Sequence, residues 1–153
     1  MQTTLAHQLP FPAAGPVLAA EPARAPARPR ARVSWAGRVL SGLPSLFLAF
    51  DAGIKLANLP VVAKTSERLG IPAHLGPGLG VLLAVCLALY LVPRTAALGA
   101  VLLTGYLGGA VLVHLRVGDP LFSHTLFPVY VGAMLWAGLW LRDDRVRRLL
   151  APR

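Results

Sequence analysis

Asp51 and Lys55 stand four residues apart inside an otherwise apolar run, WAGRVLSGLPSLFLAFDAGIKLANL. At that spacing an acid followed by a base shares one helical face, in the order that favours an ion pair. Alone at the centre of a membrane span, either charge costs about 2.5–3.5 kcal/mol on insertion scales, so the pair is expected to face a protein interior. Asp51 lies roughly 12 Å from the end of its helix at 1.5 Å per residue, too deep for a short side chain to reach water. The pair suits two chemistries: a proton-relay or substrate site, and an ion pair that fixes helix packing. A second polar group, His114, Arg116, Asp119 and His124, falls in HLRVGDPLFSHTLFP. Imidazoles beside a carboxylate can relay protons, bind a ligand or tie down a loop. No metal is expected, because no ligand spacing within one helix supports a site. The single cysteine, Cys86, sits in an apolar run, so there is no CxxC pair and no internal disulfide. A glycine-rich phosphate loop, HExxH and GxSxG are all missing from the sequence.

What must position these residues follows from composition. Of 153 residues, 56% are hydrophobic and 14% charged, where a soluble domain carries about 25% charged. Only eight charged residues lie between Val39 and Leu141: Asp51, Lys55, Lys64, Glu67, Arg68, Arg94, Arg116 and Asp119. A soluble enzyme with a solvated surface is excluded. The net charge of +9 does not indicate nucleic acid, because the basic residues cluster at the two tails of an apolar chain. There they set topology and meet anionic lipid.

The apolar middle holds about four spans of roughly 20 residues. The predicted architecture is all-α: an antiparallel bundle of four transmembrane helices with a short interfacial helix after the first span. Residues 1–34 read as a disordered, uncleaved basic tail, broken by Pro10, Pro12, Pro16, Pro22, Pro26 and Pro29. The membrane domain covers 35–150. Its first span runs from about Trp35 to Leu59, with Pro44 inside it. Pro60 to Pro72 is too short to cross and reads as the interfacial helix. The second span, Pro77 to Val92, ends in a turn at Pro93-Arg94-Thr95 so tight that the third, Ala96 to Leu115, must be its antiparallel neighbour. Gly105 and Gly109 have the GxxxG spacing that lets helices approach. After Gly118 and Pro120 the fourth span, Phe122 to Leu141, ends in LRDDRVRRLLAPR.

Four spans put both tails and Arg94 on one side, with eleven Lys and Arg residues. The other side has three, Lys64, Arg68 and Arg116. The expected localisation is therefore the bacterial inner membrane, multi-pass, with both termini cytoplasmic. This orientation gathers Asp51, Lys55, His114, Arg116, Asp119 and His124 near the outer leaflet as binding or proton-relay candidates.

The stretch SGLPSLFLAFDAGIKL resembles the opening of DoxX-like membrane proteins. The stretch from Leu102 to Asp143 resembles the second half of that family more closely, most specifically through HLRVGDPLFSHTLFP. The resemblance covers about Arg38 to Leu150. It implies a four-helix integral membrane protein, and some relatives are linked to quinone-coupled sulfur oxidation or to assemblies handling thiol oxidation. Three functions are carried forward. The leading one is an accessory or ligand-binding subunit of a membrane assembly, with membrane protein partners or a second copy of itself. The second is a quinone-linked redox protein, with Tyr106 or Trp136 walling the quinone pocket. The third is a small transporter.

Overall fold

The computed structural model describes residues 30–150. Most of the expected basic tail, residues 1–29, lies outside the described residues. Helix α1 (Arg30–Leu56) begins ahead of Trp35 and runs unbroken through Pro44. Beyond Leu56 the chain turns at Asn58, which takes a left-handed φ of 50°. Pro60 then opens α2 (Pro60–Arg68), since proline has no N–H to lose in a first turn. Gly70, at φ 65°, stops α2 in the manner of a C-terminal glycine cap.

A 3-10 turn (Ala73–Leu75) leads into α3 (Gly76–Leu91), and α4 (Ala96–Arg116) follows the short turn at Arg94. Gly118, at φ 73°, lets the chain reverse after α4. The fourth span does not begin as a regular helix at Phe122. Leu121–Thr125 forms a wide π-helical turn, with Thr125 N–H bonded to the Pro120 carbonyl at 3.2 Å and Leu126 N–H to that of Leu121 at 2.9 Å. Regular α5 (Phe127–Arg142) starts only beyond it. Pro128 in its first turn has no N–H to return to His124, so that rung of the ladder is missing. Arg-rich α6 (Asp144–Leu150) is a short helix that hydropathy alone did not separate from the tail.

Four stretches are long and apolar enough to cross a bilayer: Trp35–Leu56, Ala73–Leu91, Ala96–Arg116 and Leu121–Arg142. Their outward faces expose Leu43, Leu46, Phe50, Val81, Leu98, Val101 and Leu112. So much apolar surface is stable against lipid and not against water. The chain is a multi-pass membrane protein.

Helix α1 packs on α3 and α5, and α4 packs on the same two helices from the opposite side. Ser41 meets the C-terminal Tyr90 of α3, while Lys55 lies by Gly80 near its start, so α1 and α3 are antiparallel. Both described termini and the Arg94 turn therefore share one end, the terminal end. Helix α2 and residues 117–126 form the other, the capped end.

The terminal half is packed shut around Tyr90, which is fully buried. Its hydroxyl donates to the Leu135 carbonyl at 2.8 Å and accepts from Ser41 at 3.0 Å. Arg142 lies over the Tyr90 ring, 4.8 Å from its centroid, and donates to the Tyr90 carbonyl at 3.1 Å. Backbones touch at glycines here. A Cβ on Gly99 would strike the backbone of Leu89 and Tyr90, and one on Gly138 would strike Ser41. The GxxxG reading needs correcting on this point. Gly105 and Gly109 have nothing within 4 Å of where a Cβ would stand, and the close approaches are made by glycines outside that motif.

Candidate functional site

Toward the capped end the four helices separate around a cavity of about 550 Å³. That falls within the range of roughly 300–1,000 Å³ typical of small-molecule sites. Buried Leu48, Leu107 and Val131 line its deeper part. Phe47 and Phe127, stacked edge to face with centroids 5.2 Å apart, line it where α1 meets α5. Helix α2 lies across the capped end and contributes Val61, Val62, Thr65 and Ser66, so it acts as a roof.

Asp51 and Lys55 point into this space from α1 and are bonded to each other, as their spacing predicts. Their side chains are 25% and 20% exposed, and both line the cavity. Lys55 carries three N–H donors and gives one to Asp51, so donors remain for a ligand. From α4, Tyr106 and His114 line the same cavity. Trp136 does not. Its indole N–H donates to Thr104 Oγ1 at 2.9 Å in the seam between α4 and α5.

The remaining polar residues form a second layer that holds the roof. Arg68, at the end of α2, makes two parallel 3.1 Å bonds to the Asp119 carboxylate. Asp119 also accepts a 2.6 Å bond from His114 Nδ1, so His114 belongs to both layers. These donors hold the Asp119 carboxyl below the usual carboxylate range. The His114 hydrogen bond is the largest cause, opposed by burial and assisted by the charge of Arg68. Arg116 donates to the Leu69 carbonyl at 2.5 Å, and its guanidinium lies against Gly70. His124 is exposed, bonded to Ser123 at 2.8 Å, with its ring centroid 6.2 Å from that of His114.

The six residues gathered by the sequence thus divide by position. Asp51, Lys55 and His114 reach the cavity, Arg116 and Asp119 fasten its roof, and His124 flanks His114. Sequence reasoning missed Arg68, because its partner lies 51 positions away and nothing in PVVAKTSERLG marks the pairing. Among the described residues no group of three or more His, Cys, Asp and Glu is placed to hold a metal.

An all-helical bundle of four spans around a largely apolar cavity defines a small integral membrane protein. More particularly, the family model of the DoxX-like family matches residues 39–138, and the chain belongs to that family. No curated protein and no solved structure matches it.

Proposed function

We propose that this protein is a ligand-binding subunit of the membrane, taking a small, mostly apolar molecule into the cavity of its capped half. One observation carries the reading. The cavity is large enough for a ligand, is lined mainly by apolar side chains, and holds one self-neutralised ion pair beside Tyr106 and His114. A few convergent polar groups in an apolar pocket orient a ligand without demanding a charged one. The accessory role follows from the same site, since it binds and positions a molecule for another subunit or a second copy of the chain.

A quinone-linked redox role is the second reading. Lys55 and Tyr106 supply donors for ring carbonyl oxygens, and the Phe47–Phe127 pair supplies an aromatic wall. The bias of Lys and Arg toward the terminal end supports an inner-membrane orientation with both termini in the cytoplasm and α2 on the far face. Protein purified with native lipid, extracted with organic solvent and analysed by mass should yield a bilayer-soluble compound in fixed ratio to the chain. Ala110→Phe, which fills the cavity from α4, should lose it. A quinone in the extract selects the second reading, and co-purifying subunits support the accessory role. An extract identical to that of the surrounding membrane overturns ligand binding.

A further inference from the structure

The cavity has to be reached from somewhere, and its walls differ from side to side. Helices α3 and α4 are in backbone contact beside the turn that joins them, where Gly99 admits no side chain against Leu89 and Tyr90. Further along, Gly105 and Gly109 of α4 line the cavity and are exposed on the bundle surface at once. Neither has any atom within 4 Å of a Cβ position. Across the seam, Leu82 of α3 also lines the cavity while half its surface is exposed. A residue that faces both a cavity and the outside marks a mouth. This mouth lies within the apolar spans Ala73–Leu91 and Ala96–Arg116, at a level where the outside is hydrocarbon.

Phe47, Phe127 and Val61 also line the cavity while 44%, 42% and 55% exposed, but on those sides side chains or ion pairs stand in the way. Phe47 and Phe127 stack across the line between α1 and α5. The roof is held at the level of the loops by Arg68 on Asp119 and by Arg116 on the Leu69 carbonyl.

From this we infer that the cavity fills sideways from the bilayer, through the seam between α3 and α4, and that its ligand is a molecule dissolved in the lipid phase. The inference rests on the ligand-binding reading for its biological meaning, but the portal is a separate property of the bundle. Glycine at 105 and 109 keeps the seam open, because any larger residue would stand in the gap. The Asp51–Lys55 pair cancels its own charge at the inner end, so an uncharged amphiphile meets no net field on the way in. A water-soluble anion or cation would have to pass the fastened roof.

The test is chemical access to one thiol. Ala110→Cys places it on the cavity wall of α4 in a Cys86→Ala background, with the protein in phospholipid nanodiscs. Pyrene maleimide partitions into the bilayer, and a sulfonated maleimide stays in water. Leu112→Cys, on the exposed face of α4, checks that the first reagent arrives. Pyrene maleimide should label Ala110→Cys while the sulfonated reagent does not. Adding Gly109→Phe should slow that labelling at least tenfold, and adding Arg68→Ala should leave it unchanged. Leu82→Ala, which widens the same seam, should speed it several-fold and gives a reading even if Gly109→Phe fails to fold. Labelling by the sulfonated reagent, or faster labelling on adding Arg68→Ala, would place the route at the roof and overturn the inference. So would a thiol that pyrene maleimide cannot reach while Leu112→Cys is labelled. A portal confirmed this way beside an empty lipid extract would leave lateral access standing and remove the ligand.

Discussion

At the terminal end of the bundle, Gly37, Gly99 and Gly138 bring backbones against their neighbours, and Tyr90 is hydrogen-bonded on α1 and α5 at once. At the capped end α1 and α3 still meet at Gly80, yet a cavity opens among the four helices, and Gly105, Gly108 and Gly109 of α4 touch nothing. Both halves are rich in small residues and apolar side chains, so composition does not distinguish them. What differs is where the small residues fall relative to a neighbouring helix. In a bilayer, helix association depends on close packing and interhelical hydrogen bonds, since lipid is as apolar as leucine. The terminal half has both, and it can therefore hold the bundle together while the other half stays open.

If that division is right, substitutions should separate by half. The largest effect is expected from Gly99→Leu, whose side chain would have to displace the backbone of α3. It should cost more than about 4 kcal/mol and leave little folded protein in detergent. Normal thermal unfolding of Gly99→Leu would show that the two helices are not locked there.

The ion pair is next. Asp51→Leu or Lys55→Leu alone leaves a charge in the cavity without its partner, a change that costs about 3–5 kcal/mol where a buried pair is broken. The double substitution should cost much less, because the desolvation of both charges goes with it. Three melting curves decide this. A double mutant as unstable as the worse single one would mean that the pair has further structural partners. A double mutant that is stable but empty of ligand would assign the pair to the site.

Tyr90→Phe should cost about 1–3 kcal/mol, since the Leu135 carbonyl and Ser41 hydroxyl each lose a buried partner. Ligand retention at the other end should not change. A smaller effect belongs to the roof. Because the carboxyl of Asp119 titrates below its ordinary value, its contribution is complete above about pH 4 and is lost as pH falls through the folded-state value. Hydrogen exchange in α2 should accelerate only on that acidic side, and Asp119→Asn should show the fast exchange at neutral pH as well. Acceleration between pH 8 and 5 would assign the effect to another group. The smallest change is expected from Gly109→Leu, within about 0.5 kcal/mol of the parent, because no described atom lies within 4 Å of where its Cβ would stand.

Much of the fold is legible in the chain because lipid imposes length and polarity directly on sequence. The four spans, the short helix after Pro60 and the tight turn at Arg94 all follow from hydropathy and from proline and glycine positions. So does the Asp51–Lys55 pair, whose spacing is local. The GxxxG motif misled because spacing shows that a helix has a smooth face, not that another helix lies on it. Gly99 and Gly138, with no motif around them, make the real contacts. The cavity and the Arg68–Asp119 clamp depend on how far helices diverge in space, and no local pattern encodes that. The π-helical turn was unreadable for a related reason, since nothing in LFSHTLFP marks which carbonyl each N–H will take.

That turn also bears on how the chain can change over time. A π-turn carries one residue more than the α-turn that would span the same rise. Losing a residue between Leu121 and Thr125 would tighten the coil to ordinary pitch without rotating α5 against α1 and α4. Length variation elsewhere in a span would turn every following side chain by about 100° and move Leu135, Gly138 and Leu139 off the core. The segment is thus a mechanical buffer, the place in the membrane domain where descendants of this sequence can differ in length while keeping one bundle.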